Sequence, residues 1–323
     1  MKKFSFLILV FIGFSAIAQE PLIIEKKKIN WEDFPTLYSN YEEGLFKKGV
    51  SFLEGIDMYE ITYMSDGLKI QAYAAMPEAE GKYPVIVVNR GGNRDFNHLT
   101  LFDRRNFNYP TAIAFPPMAQ EGYIVIGCNY RGSGKSEGME EYGGADVNDV
   151  LNLIEALDEI PEADTERIGM YGWSRGAMMT YLAMAKSDKI KAVVVGAGDS
   201  DLRILDRSDM ETGVYAELIP NYWENKEEEL KKRSAVLFAD QFKKDVPILM
   251  LHGNSDWRVN VSHSLNLALQ LDKFRVPYRL KIYEGGDHSL STFREDRNRE
   301  TMSWFERYLK NDEALPNMEH HGS

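Results

Sequence analysis

The sequence predicts an α/β protein with a mostly parallel, eight-stranded sheet, an N-terminal hairpin and helices on both faces. Three observations predict it. From about residue 56 to residue 310, apolar runs of strand length alternate with segments of helical period. The first two runs are separated by Asp66-Gly67, a hairpin signal. One later run passes through Gly172-Trp173-Ser174-Arg175-Gly176 directly into a stretch with helical spacing.

The strand candidates, in order, are Ile56–Tyr63, Leu68–Met76, Tyr83–Arg90, Tyr123–Tyr130, Arg167–Trp173, Ile190–Gly196, Val246–Leu251 and Tyr278–Tyr283. Helices are expected at Thr111–Glu121, Ala145–Glu159, Arg175–Ser187, Ser262–Lys273 and Thr292–Leu309. In the second of these, Val147, Val150, Leu151, Ile154 and Leu157 repeat with a period near 3.6 on one face. Eight strands opened by a hairpin are the arrangement of the α/β-hydrolase fold. Sheets of this kind bind ligands beyond the carboxyl ends of their strands.

Outside the alternating region the chain divides as follows. Residues 1–18 read as a secretory signal: Lys2 and Lys3 are positive, Phe4–Phe14 is apolar, and Ala16-Ile17-Ala18 is a small-x-small cleavage site before Gln19. A membrane anchor fits less well, because the apolar stretch is shorter than the ~20 residues a bilayer requires. No cysteine follows the cleavage site to carry a lipid, and no later segment is long and apolar enough to span a membrane. A periplasmic or secreted protein, with no stable membrane span after signal removal, is expected. Residues 19–55 form an extension whose Trp31, Phe34, Tyr38, Tyr41 and Phe46 are expected to pack on the catalytic domain, 56–310. Residues 199–245 interrupt the alternation and read as a small helical cap insertion, either over the site or peripheral to it. Residues 311–323 are a polar tail.

Composition is that of a soluble globular protein, with 44% apolar and 27% charged residues. The net charge of −12 disfavours nucleic acid as a partner, since an acidic surface repels phosphates. The lysine run 26–28 and the charged run 224–233 read as solvated faces. Cys128, the one cysteine, lies in an apolar run and reads as a small core residue rather than a reactive thiol. Gly134-Lys135-Ser136 imitates the end of a phosphate-binding loop, but Asn129 stands where the earlier glycine is required. No zinc-type spacing of His or Cys occurs, and no cofactor is expected.

Glycines flanking Ser174 allow a strand to turn abruptly into a helix and force the serine to the tip of the turn. A serine hydroxyl is a weak nucleophile and needs a base, which needs an acid to orient it. In the chain order Ser, acid, His, two loops qualify. Asp256 follows an apolar strand in Leu251-His252-Gly253-Asn254-Ser255-Asp256, and His288 follows the last strand in Gly285-Gly286-Asp287-His288. Asp199 is a possible substitute acid, whereas Asp287 is poorly placed to reach its neighbour's ring. His252 reads as structural, His98 and His263 sit in a loop and a helix start, and His320 and His321 lie in the tail. An oxyanion would be held by the backbone N–H of Arg175 and by the loop Asn89-Arg90-Gly91-Gly92-Asn93.

The motifs Gly172-Trp173-Ser174-Arg175-Gly176, His252-Gly253 with Asp256, and Gly286-Asp287-His288 resemble the catalytic domain of the prolyl oligopeptidase family of serine hydrolases. Asn129-Tyr130-Arg131-Gly132-Ser133-Gly134 resembles a strand-end segment widespread in α/β hydrolases. The resemblance runs from about Ile56 to Leu309. It implies that Ser174, Asp256 and His288 are nucleophile, acid and base, and that the substrate is a small ester or short peptide. Two departures stand out. Peptidases of the family commonly have a tyrosine before the paired glycines, where this chain has Arg90, so the second oxyanion donor is either a Gly91 amide or the Arg90 side chain. The chain is also too short to include the β-propeller of larger members. A carboxylesterase of the same fold and a catalytically silent exported binding protein are the alternatives.

Arg90, Arg94, Arg104, Arg105 and Arg175 cluster near the expected cleft. Internal ion pairs with Asp95, Asp103 and nearby glutamates are the favoured reading, ahead of recognition of a substrate carboxylate.

Overall fold

The structure, a computed structural model, describes residues 20–34, 41–42, 45–101, 109–205 and 207–322. Residues 1–18, read as a signal, lie outside the described residues, as do Tyr38, Asp103, Arg104 and Arg105 and the side chains of Tyr41 and Phe46.

The main sheet has nine strands: β1 (Ile23–Lys28), β2 (Ile56–Ser65), β3 (Leu68–Pro77), β4 (Tyr83–Asn89), β5 (Ile124–Cys128), β6 (Ala163–Trp173), β7 (Ile190–Gly196), β8 (Ile248–Gly253) and β9 (Tyr278–Tyr283). Their spatial order is β1-β2-β3-β5-β4-β6-β7-β8-β9. Pairing is antiparallel from β1 through β3 to β5 and parallel from β5 to β9. All eight expected strands are present. The ninth, β1, comes from the extension and runs antiparallel to β2, with Lys26 opposite Ile61. Its sequence Ile-Ile-Glu-Lys-Lys-Lys hides it, because an edge strand with lysines toward water carries little apolar signal. Trp31 and Phe34 pack against the core as expected.

Alternation along the central strands builds two cores. Val193 and Val195 of β7, with Ile248 and Met250 of β8, face one cluster; Val194, Leu249 and Leu251 face the other. The first cluster is covered by α2 (Asp146–Ala156), α3 (Arg175–Met184), α4 (Tyr222–Lys232) and α5 (Ser262–Phe274). The second is covered by α1 (Pro116–Gln120) and α6 (Arg294–Phe305). Each fully buried Val, Leu or Ile contributes roughly 1.5–3 kcal/mol against exposure. Such a two-sided core is what holds a parallel sheet. The expected helix at Thr111–Glu121 is two short ones, Thr111–Ala114 and α1. Pro116 and Pro117 bring no N–H to a helix interior and disfavour helical geometry just before them, so a new helix starts there. Among the described residues no helix is long and apolar enough to cross a membrane.

Because β4 to β9 are parallel, their carboxyl ends share one edge. The loops after β4, β6, β7, β8 and β9 gather there, and these bring Arg90 and Gly91, Ser174 and Arg175, Asp199, Asp256 and His288 to that edge.

Candidate active site

Ser174 joins β6 to α3 with φ 58° and ψ −128°. A non-glycine residue at such a φ is strained by about 1–3 kcal/mol. The neighbours that hold it are its own N–H on the Gly196 carbonyl (2.8 Å) and the Ala177 N–H on its carbonyl (2.9 Å). Gly176 is required by space, since a Cβ there would collide with the Asn89 carbonyl at the end of β4. Gly91 is required for the same reason: its Cβ would come within 2.9 Å of the Trp173 carbonyl oxygen and 3.4 Å of Ser174 Cβ. The glycine loop after β4 therefore lies against the serine turn.

The structure brings Asp256 and His288 together. His288 Nδ1 lies 2.8 Å from Asp256 Oδ2. A carboxylate only accepts, so Nδ1 is the donor, and the Nε2 of the neutral ring is an acceptor. The other oxygen of Asp256 accepts the N–H groups of Arg258 (2.8 Å) and Val259 (3.1 Å). Burial alone would raise the Asp256 carboxyl. Hydrogen bonds from His252 and His288, the His288 charge and the Val259 N–H outweigh it and hold the group well below the usual carboxylate range.

The rival residues are engaged elsewhere. Asp287 accepts the Ser291 N–H (2.8 Å) and hydroxyl (2.5 Å). Asp199 lies 4.0 Å from His263. His252 is fully buried, with Nε2 on the Val259 carbonyl (3.0 Å) and Nδ1 on the Ser264 hydroxyl (2.7 Å), which fixes the loop bearing Asp256. Burial pushes the Cys128 thiol up to about 12, so it is a protonated core group at neutral pH. Lys135 pairs with Glu60 on the surface, which accounts for it without a phosphate.

Ser174 and His288 line one cavity of about 600 Å³. The loop carrying His288 is fixed to the serine turn by Trp173, whose Nε1 donates to the His288 carbonyl (2.7 Å). Ser174 also lines a second cavity of about 350 Å³, walled by Ile204, Leu205, Met210, Val214 and Tyr215 of the 199–245 segment.

Under the glycine loop lies an ionic cluster that motif reading did not find. Glu140 accepts Arg175 Nη1 (2.5 Å), Arg90 Nη2 (3.4 Å) and the Arg94 N–H (2.9 Å). Arg175 Nη2 donates to Asp146 (2.5 Å), and Nη1 also reaches the Gly92 carbonyl (2.9 Å). The side chains of Arg90, Arg175, Glu140 and Asp146 are almost wholly buried, and their formal charges cancel. Both guanidiniums stack on Tyr130, at 4.8 and 5.0 Å, and Arg175 also stacks on Tyr142 at 4.6 Å. Burial and the like charge of Arg175 pull Arg90 below its ordinary value. Arg175, burdened by the same burial but facing two carboxylates, stays above its own. The ion-pair reading therefore holds for Arg90, on Glu140, for Arg175, on Glu140 and Asp146, and for Arg94, on Glu217 (2.5 Å), while Arg104, Arg105 and Asp103 lie outside the described residues. Asp95 instead accepts the Gly134 N–H. The Arg90 guanidinium, the alternative second oxyanion donor, is fully buried on Glu140 and the carbonyls of Gly91, Arg94 and Phe96, which leaves the Gly91 amide as the candidate. Among the described residues no group of three or more His, Cys, Asp or Glu side chains is arranged to hold a metal ion.

Comparison with known proteins agrees with this geometry. The sequence profile of the prolyl oligopeptidase family matches residues 111–312. The chain is 26% identical over 259 residues to the uncharacterized peptidase YtmA of Bacillus subtilis strain 168, covering 79% of this chain and 94% of that protein. It superposes on the Pyrococcus horikoshii acylaminoacyl peptidase with a TM-score of 0.70 and 27% identity, over 86% of this chain and 46% of that one. This chain thus spans under half of that enzyme's length. An acetyl xylan esterase from Paenibacillus sp. R4 shares the fold, with a TM-score of 0.65 at 17% identity over 90% of both chains. A family profile covering well over half of the chain, on this sheet and this serine turn, assigns it: the protein belongs to the prolyl oligopeptidase family and is a serine hydrolase of the α/β-hydrolase fold.

Proposed function

We propose that this chain is an exported serine hydrolase that cleaves an ester or amide bond of a small substrate or short peptide through an acyl-enzyme. Ser174 Oγ attacks the carbonyl carbon while His288 Nε2 takes its proton. Asp256 keeps the imidazole in the tautomer with Nδ1 protonated and stabilises the imidazolium that forms. The N–H groups of Arg175 and Gly91 receive the oxyanion; one such donor lowers the barrier by roughly 3 kcal/mol. The bond to the leaving group then breaks, and His288 passes its proton to the departing atom. Water, deprotonated by the same ring, releases the acyl group. The 199–245 segment acts as a cap that receives the acyl half in the smaller cavity.

The observation that carries this reading is the 2.8 Å contact between His288 Nδ1 and Asp256, in a cavity that Ser174 also lines from a strained turn. A fluorophosphonate probe tests it: one adduct on the wild-type protein, lost in Ser174→Ala. A protein that forms no adduct is the silent binding protein instead. Rates on short acyl esters, aminoacyl anilides and dipeptidyl anilides then separate a carboxylesterase from a peptidase, the latter being the favoured reading. Export is tested by the mass of the mature protein, which begins at Gln19 if residues 1–18 are removed and at Met1 if the proposal is wrong.

A further inference from the structure

The two cavities that meet at Ser174 differ in what they offer a substrate. The smaller one is walled by apolar residues of the 199–245 segment together with Asp199 and Arg207, which pairs with Asp209; the larger one contains His288. In the proposed reaction His288 hands its proton to the departing atom, so the leaving group sits on the His288 side, in the larger cavity.

That cavity holds two uncommitted cations. Most arginines here are paired with carboxylates, Arg90, Arg94, Arg131, Arg175, Arg207 and Arg233 among them. Arg258 and Arg297 have no carboxylate partner among the described residues; Arg297 lines the larger cavity, and Arg258 stands where the two cavities meet and lines both. Arg258 stacks on Trp257, 5.1 Å from the ring centroid, and its backbone is fixed by the bond from its N–H to Asp256. Arg297 stacks on Trp173 at 5.4 Å. Its Nε and Nη2 donate to Asn298 Oδ1 (3.1 and 2.9 Å), and its Nη1 donates to the Ser289 carbonyl (2.8 Å). All these acceptors are neutral. A guanidinium has five N–H groups, so Nη1 and Nη2 of Arg297 each keep one N–H for an incoming acceptor. Asp287, the carboxylate in the same cavity, is turned onto the Ser291 N–H and hydroxyl. In a protein of net charge −12, an anion approaching Ser174 needs such a local positive site.

We propose that Arg258 and Arg297 select a leaving group bearing a carboxylate, so that the preferred substrate is an acylated amino acid or short peptide whose departing half ends in a free C-terminus. The inference rests on the Ser174–His288 reading for the direction of departure. In the reaction the acyl carbon–nitrogen bond breaks, the nitrogen takes the proton held by His288, and the acyl group passes to Ser174 and then to water. The amino acid or peptide leaves as a free amine with its carboxylate unchanged.

The test uses the mature protein and pairs of N-acetylated dipeptides and tripeptides that differ only in a C-terminal carboxylate or carboxamide. The wild-type protein is expected to cleave the acid with a kcat/KM about tenfold or more above the amide. In Arg258→Gln/Arg297→Gln the ratio is expected to fall to within about threefold of unity, with partial return in the Lys variants, which keep charge but lose the fork. The ratio is taken within one protein sample, so it does not depend on how much of a variant is folded. Equal rates or faster amide cleavage by the wild-type protein overturns the proposal, as does a preference that survives the double substitution. Failure of the underlying reading looks different. If a neutral aminoacyl anilide is not hydrolysed, while Ser174→Ala binds the acid at least tenfold more tightly than the amide in calorimetry, the catalytic roles fall and the anion site stands. Equal binding of acid and amide removes the site.

Discussion

Two charged regions flank Ser174, and they use buried charge in opposite ways. Beneath the glycine loop, Arg90, Arg175, Glu140 and Asp146 are four permanent charges that cancel and are joined by short contacts. On the other side, Asp256 is a single ionised carboxylate facing two imidazoles, His252 at 3.4 Å and His288 at 2.8 Å. The first arrangement is complete in the resting protein and ties the loop at Arg90–Arg94 to the residue that follows Ser174. In the proposed reaction the second is complete only when the His288 ring gains a proton. Desolvation strengthens both, but the first uses it to hold backbone in place and the second, in the proposed reaction, to stabilise a charge that appears on His288. Substitutions in the first region should therefore act chiefly on stability, and those in the second chiefly on turnover.

The largest effect is expected at Asp256. Asp256→Asn offers His288 an amide in place of a carboxylate, which permits the wrong tautomer and removes the counter-charge of the imidazolium. We expect kcat to fall by about 10⁴-fold, measured on any substrate the wild-type protein turns over. A fall of only a few-fold would mean that Asp256 does not orient the ring.

Glu140 should behave in the reverse manner. Glu140→Ala leaves Arg90 and Arg175 buried with one carboxylate between them, and breaking a buried pair from one side costs about 3–5 kcal/mol. Denaturant unfolding should report that loss. Glu140→Gln keeps the shape and loses the charge, and should lie between the two. Because Glu140 also accepts the Arg94 N–H, the folded fraction of Glu140→Gln should lose kcat more than it gains KM, through the loop that carries Gly91. A Glu140→Ala protein as stable as wild type would sink the distinction between the two regions.

What the chain disclosed in advance follows the same division. Ser174, Asp256 and His288 could be picked out because each lies at or shortly after the carboxyl end of a strand, and a parallel sheet obliges those ends to meet at one edge. The central strands were legible because apolar residues buried on both faces leave continuous runs, the first hairpin strand because buried and partly exposed positions interleave along it, and the last strand because it follows a helical stretch. Glu140, Asp146, Arg258 and Arg297 carry no local signal: they lie in a loop, at a helix start, beside Asp256 and within α6, and only the tertiary fold brings them beside Ser174 or its glycine loop. Arg90 and Arg94 were visible as a charged cluster, but which acid each would meet depended on Glu140 and Glu217, distant in sequence. The strand β1 was hidden by its lysines, and the break before α1 was marked by Pro116-Pro117 inside a stretch that otherwise read as helical.

A smaller effect is expected from pH. The Asp256 carboxyl titrates lower in the folded chain than in the unfolded one. The unfolded state therefore binds more protons as pH falls through the ordinary carboxylate range near 4. The stability that Asp256 contributes is present in full above that range and is lost as the pH drops toward the folded-state value. Asp256→Asn cannot titrate. The difference in Tm between wild type and this variant should be constant above about pH 5 and should move against the wild type below about pH 4. A difference that stays flat through this range would mean that the carboxylate gains nothing from His252 and His288 in the fold.

The smallest effect is expected where the charges are unpaired. Arg258 and Arg297 are half-buried, stack on Trp257 and Trp173, and have no carboxylate partner among the described residues. Arg258→Gln leaves no acid stranded, and Arg297→Gln leaves only the Ser289 carbonyl and the Asn298 side chain, both open to water. Each substitution should change stability by no more than about 1 kcal/mol, against the several expected at Glu140. If either instead destabilises the fold as much as Glu140→Ala does, these arginines are structural supports like Arg90 and Arg175, and their place beside Ser174 says nothing about the leaving group.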